Sequence, residues 1–153
     1  MTDLRELYQD IILDHARHPR NFAALPHCTH QAHGHNPLCG DTVTVFLKMD
    51  ENGRVAQANF QGHGCAISLA SASLMTETVM GKTAAQINEL FGDFQARVTG
   101  GKDTAPPPEL VDDVERLAAL VGVKAYPSRV KCAVLPWHAL QAALAGSQTG
   151  EKP

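Results

Sequence analysis

The chain has no excess of positive charge, no apolar run long enough to span a bilayer, and no two cysteines in the close Cys-x-x-Cys spacing of zinc fingers and ribbons. Each absence closes off a class of function. With 13 Lys and Arg against 16 Asp and Glu the formal net charge is -3, so no broad cationic field exists to attract nucleic acid or an anionic membrane. The apolar stretches fall short of the roughly 20 residues that a membrane helix needs. The opening residues Met1-Thr2-Asp3-Leu4-Arg5-Glu6 lack the basic and then apolar layout of a secretory leader. No internal repeat or low-complexity segment is visible. The expectation is a cytoplasmic protein with neither nucleic acid nor membrane as partner.

What is present is enough chain for a core of its own. A sequence of 153 residues fits one domain, and a domain near 150 residues buries roughly two-thirds of the surface its unfolded chain exposes, so metal is not needed to replace a missing core. Residues 1–146 are expected to form that domain and 147–153 a frayed polar tail. In a reducing compartment the four cysteines read as thiols or metal ligands rather than as a disulfide framework.

Local patterns predict the elements. Asp3 as N-cap with Glu6 three residues on starts a helix, along which Leu4, Leu7, Ile11 and Ile12 form a stripe to be buried before Pro19 ends it. A short edge strand is placed at 29–33. Alternating Val43, Val45, Leu47 and Met49, the turn Asp50-Glu51-Asn52-Gly53 and the stretch 55–61 predict a β-hairpin. Antiparallel pairing then brings Cys39 and Asp41, at the entry of one strand, to the same end of the sheet as Cys65, beyond the exit of the other. A helix over 66–80 starts at Cys65, a position that favours the thiolate, and ends at Gly81. Thr83 and Gln86 make a capping box for a second, short helix carrying Ile87 and Leu90. Gly100, Gly101 and Pro106-Pro107-Pro108 mark a loop. Leu110, Val111, Val114, Leu117 and Val121 predict a helix stopped at Gly122, and a last helix holds Cys132 near its start, with Pro136 either kinking it or lying in its first turn. The fold class is α+β, a small antiparallel sheet of about three strands packed against several helices.

Cys39, Asp41, Cys65 and Cys132 form the candidate ligand set. Three thiols and one harder, more easily displaced carboxylate suit Zn²⁺. Such a site carries a formal charge of about -2, which the nearby cations Arg129 and Lys131 would offset while tuning the thiolates. Spacing alone leaves open that the cysteines are small buried hydrophobes and that the two cations are merely solvated. Cys39, on a glycine-flanked loop before a strand, can leave the set more easily than a cysteine anchored at a helix start, and is therefore the candidate nucleophile. Cys28 falls outside the set. His27, His30, His33 and His35 cluster on the edge segment, where they read as solvated side chains able to recruit adventitious metal. His63 reads as a loop residue beside the site rather than a ligand.

Three segments carry a resemblance: Asn36-Pro37-Leu38-Cys39-Gly40-Asp41, Gly62-His63-Gly64-Cys65-Ala66-Ile67-Ser68, and Arg129-Val130-Lys131-Cys132-Ala133-Val134-Leu135-Pro136-Trp137. They resemble the three signatures of the NifU/IscU-like iron–sulfur assembly family, in order and in cysteine context, over nearly the whole chain. Within it the chain is most similar to the SufU branch: Lys131 stands where IscU proteins have a histidine, the Leu-Pro-Pro-Val-Lys chaperone motif is absent, and residues 95–125 look like the insertion typical of SufU proteins. The resemblance implies a zinc-dependent sulfurtransferase that takes sulfur from the persulfide of a pyridoxal-phosphate cysteine desulfurase of the SufS type and passes it toward a downstream iron–sulfur scaffold. It implies zinc on Cys39, Asp41, Cys65 and Cys132, Cys39 as acceptor with a desulfurase histidine taking its place on the metal, and Arg129 as a partner for Asp41 during the exchange. Two alternatives remain: a scaffold that builds a [2Fe-2S] cluster, or binds iron, on the same ligands, and a structural zinc module that never exchanges them.

Overall fold

The structure, a computed structural model, describes residues 4–37 and 40–146. The expectations for the Asp3 cap, for Cys39 and for the tail at 147–153 lie outside these residues. Three strands, β1 (His30–Asn36), β2 (Asp41–Met49) and β3 (Val55–His63), form one antiparallel sheet in the order β1-β2-β3. Five helices accompany it: α1 (Leu4–Arg17), α2 (Ala66–Thr78), α3 (Ala84–Val98), α4 (Val111–Leu117) and α5 (Pro127–Leu144). The fold is α+β, as the sequence predicts.

The hairpin follows from its turn. Asp50 Oδ1 accepts the N–H groups of Asn52 and Arg54, both at 2.9 Å, and Gly53 takes φ +73°, a left-handed conformation that costs glycine little. One face of β2, with Val43, Val45 and Leu47, is buried against the helices. Behind the sheet, α2 is buried along nearly its whole length, and its Ala and Ser residues let α1 and α5 approach closely. Trp137 of α5 stacks on Phe91 of α3 at 5.7 Å between ring centroids and lies 5.3 Å from Phe94. The Thr83–Gln86 capping box is present, a motif of which the cap alone stabilises a helix start by about 1 kcal/mol.

Several local expectations need correction. Strand β1 runs on to Asn36, paired with Asp41, rather than ending at His33. The stripe on α1 is not buried as a whole: Leu7 is 45% exposed and Ile11 and Ile12 are only half-buried, whereas His15 is buried. The His15 ring binds the Ser73 hydroxyl of α2 at 2.7 Å, so α1 docks partly through a polar contact. Helix α2 stops at Thr78, with Gly81 at φ +79° three residues beyond. Helix α3 extends to Val98 and is not short. The helix expected up to Gly122 ends at Leu117 and continues as 3-10 helix over Ala118–Ala125. Buried Leu117, Leu120 and Val123 recur at intervals of three, the 3-10 repeat rather than the α repeat. Pro127, not Pro136, opens α5; Pro136 lies well inside it, where it removes the N–H that would have bonded the Cys132 carbonyl.

Candidate metal centre

Sheet pairing and two helix starts assemble the site. Asp41 opens β2, next to Gly40, whose N–H bonds the Asn36 carbonyl at 2.8 Å and whose φ is +73°. Cys65 follows β3 and is the N-cap residue of α2. The partially positive end of that helix favours an anion at this position. Cys132 lies in the second turn of α5, fully buried.

These elements bring Asp41, Cys65 and Cys132 together, with one possible ligand atom of each within 4.8 Å of the others. The buried Asp41 carboxylate accepts the Cys65 backbone N–H at 3.0 Å, and its second oxygen lies 4.0 Å from Cys65 Sγ. Ser68 Oγ is also 4.0 Å from that sulfur while donating to the Cys65 carbonyl at 3.0 Å. Glycine is required at position 64: a Cβ there would strike the Asp41 carboxylate and come within 2.7 Å of Ser68 Oγ.

The two thiols are shifted in opposite directions. The hydrogen bond from the Cys132 thiol pulls the Cys65 pKa down to about 5, against burial and the Asp41 charge, which push it up. Cys132 is pushed up, by its bond to Cys65, by burial and by its bond to Asp41. Arg129, one helical turn before Cys132 on the same side of α5, has its own pKa raised, first by its bond to Cys132 and then by the charge on Cys65. The guanidinium and the thiolate charge therefore favour each other's ionised forms.

Two thiols, a carboxylate and a nearby cation form a donor set that fits a zinc-type ion, whose thiolate and carboxylate ligands lie about 2.0–2.3 Å from the metal. Lys131, expected as a second balancing cation, is exposed; as the neighbour of Cys132 it projects from a different side of the helix. His63 ends β3 opposite Thr42 and is exposed. Cys28 is remote from the set, its thiol bonding Gln31 at 3.8 Å. From the sequence, Gly64 stands out only as a glycine beside Cys65 that allows close backbone approach, and Ser68 only as the end of the same signature; the contacts with Asp41 and the Cys65 sulfur give each its role at the site. A groove of about 390 Å³ between α1, the start of α2 and the start of α5 opens beside Arg129, with Tyr8, Ile12, Ile67 and Tyr126 among its walls.

Residues 7–133 match the NifU-like N-terminal domain. The chain belongs to that family. Among its relatives, the zinc-dependent sulfurtransferase SufU of Bacillus subtilis is 37% identical, over 97% of either chain. The iron–sulfur cluster assembly scaffold protein IscU of Streptococcus pyogenes is 32% identical, over 99% of this chain and 91% of its own. Among solved structures, a putative iron–sulfur cluster assembly scaffold protein for the SUF system from Fervidobacterium islandicum superimposes with a TM-score of 0.79 at 31% identity, covering 93% of this chain and 99% of its own. A nitrogen-fixing NifU-like protein from Brucella abortus gives 0.77 at 27% identity, covering 91% and 92%. NifU-family membership and the α+β architecture thus agree with the signatures read from the sequence. Among the described residues no helix is long and apolar enough to cross a membrane.

Proposed function

We propose that this NifU-family protein is a zinc-dependent sulfurtransferase of iron–sulfur cluster assembly, taking sulfur from the persulfide of a SufS-type, pyridoxal-phosphate-dependent cysteine desulfurase and passing it to a downstream iron–sulfur scaffold. The observation that carries this reading is the meeting of Asp41, Cys65 and Cys132 beside the Arg129 guanidinium. Sulfurtransferase character is supported by the relative from Bacillus subtilis, whose name includes zinc dependence. Zinc would be held by Cys39, Asp41, Cys65 and Cys132, and when bound it keeps its cysteine ligands deprotonated.

Cys39 is the acceptor. Cys132 is buried and Cys65, though partly exposed, is held at a helix start by its N–H bond to Asp41, so both swing out toward a partner less freely than a cysteine on a connecting loop. Cys39 is two residues from Asp41, a reach of at most about 7 Å of extended chain, on the segment that joins β1 to β2. Its thiolate attacks the outer sulfur of the persulfide. A new S–S bond forms on Cys39, the bond to the inner sulfur breaks, and its electron pair leaves on the desulfurase cysteine as thiolate, with no external oxidant or reductant. Asp41, Cys65 and Cys132 remain in place during the transfer, and Arg129 offsets the negative charge they hold.

Cys39→Ala tests the assignment: the variant keeps its fold and fails to stimulate the desulfurase, while stimulation equal to wild type refutes the role of Cys39. A second reading, a scaffold assembling a [2Fe-2S] cluster on the same side chains, is favoured by the relative from Streptococcus pyogenes, named a scaffold. It predicts a coloured protein on anaerobic purification; the sulfurtransferase reading predicts a colourless one containing zinc.

A further inference from the structure

The sheet face turned away from the helices carries histidines that the cysteine site does not use. Side chains alternate along a strand, so Asp41, Val43 and Val45 face the helices and Thr42 and Thr44 face outward. The register sets His35 of β1 opposite Thr42 on one side and His63 of β3 opposite Thr42 on the other. His35, Thr42 and His63 therefore form one row across all three strands. His33 lies on the same face, its Nδ1 3.0 Å from the Thr44 hydroxyl. His33 and His63 are exposed, and His35, Thr42 and Thr44 are partly so.

Two interstrand spacings set the His35 and His63 backbones about 9.6 Å apart. The side chain between them is a short threonine, so the two imidazoles can lean over it and meet at one ion, each nitrogen about 2.0–2.1 Å from the metal. Imidazole selects zinc, copper or nickel over magnesium and calcium.

We propose that His35 and His63, with His33 beside them, form a second site for a zinc-type divalent cation on the outer face of the sheet. Thr42 directly follows Asp41, so the ion would be held one residue along β2 from the cysteine site and on the opposite face of the strand. It acts as a surface holding site for metal bound for the cysteines, a role that rests on the zinc reading above; the existence of the site does not.

The test uses the full chain carrying its tightly bound zinc, dialysed against micromolar Zn²⁺, with zinc counted per chain. Wild type takes up a second, weaker equivalent. Paired His35→Gln and His63→Gln substitutions weaken that equivalent at least tenfold and leave the tight one, whereas His27→Gln with His30→Gln leaves both. In wild type, NMR ring resonances of His35 and His63 shift with the second equivalent and those of His27 and His30 do not, which reads the site even if a variant misfolds. No second equivalent, a second equivalent that survives loss of His35 and His63, or shifts confined to His27 and His30 overturns the proposal. Absence of the tight equivalent alone would count against the cysteine-site reading, and the ring resonances would still report on the histidines.

Discussion

Asp41 Oδ1 accepts the backbone N–H of Cys65 across 3.0 Å, tying the first residue of β2 to the residue that caps α2, 24 positions away in sequence. The site is therefore partly built before any metal binds. Its carboxylate has two duties, accepting that N–H and offering an oxygen to an ion, and substitution separates them. Asp41→Asn keeps an acceptor oxygen but loses the charge; Asp41→Ala leaves the Cys65 N–H without its partner, at a cost of about 1–3 kcal/mol. Both variants lose zinc affinity, but only the alanine variant shows a clearly lower urea midpoint in metal-free protein. Equal midpoints for alanine and wild type would show that the hydrogen bond contributes nothing.

Gly64 gives the Asp41 carboxylate room. In Gly64→Ala the new methyl would lie 2.8 Å from Asp41 Cγ and 2.7 Å from Ser68 Oγ, so carboxylate and hydroxyl must both move. Zinc retention against a chelator falls at least tenfold while the far-ultraviolet circular dichroism is unchanged. Wild-type retention would mean that the carboxylate is not a ligand.

Arg129, one helical turn before Cys132, favours the charged form of the thiols. Removing the cation raises the Cys65 pKa, so the pH at which alkylation of Cys65 in metal-free protein reaches half its maximal rate moves upward in Arg129→Ala, as read by peptide mass spectrometry across a pH series. Arg129→Lys reverses only part of that shift, because a lysine cannot present the same planar pair of donors. An unchanged pH profile would separate Arg129 from the thiols.

His15 makes the stability depend on pH. Burial lowers its pKa below the ordinary 6.5, with Arg20 acting in the same sense and Glu77 and Asp14 opposing. The folded state then binds fewer protons than the unfolded state, so the stability contributed by neutral His15 is complete above pH 6.5 and lost as pH falls through the lowered folded value. Wild type loses more of its urea midpoint between pH 7.5 and 5.5 than His15→Gln does. Parallel losses would place the titration elsewhere.

The hairpin was legible because alternation at 43–49 and the Asp50–Gly53 turn each specify it independently, and its register follows from the turn. The capping box at Thr83 and the helix start at Cys65 were legible for the same reason, since local chemistry decides both. Burial of α1 was not, because it depends on what α2 offers: Ser73 at the contact takes a histidine ring inside while Leu7 stays outside. The 3-10 stretch after Leu117 was hidden because its three-residue repeat and a helical repeat share positions over so short a span. At the site the ligand types could be read from the sequence, but the demand for glycine at position 64 arises from a contact with Asp41 on another strand, which no local pattern encodes.

The central claim is tested most directly by mixing the zinc-loaded protein with a cysteine desulfurase and cysteine, trapping the products, and locating the added sulfur by peptide mass spectrometry. A 32-dalton gain, the mass of one sulfur atom, confined to the Cys39 peptide is predicted. Sulfur on Cys65 or Cys132, or on none of the cysteines while the desulfurase turns over, contradicts it.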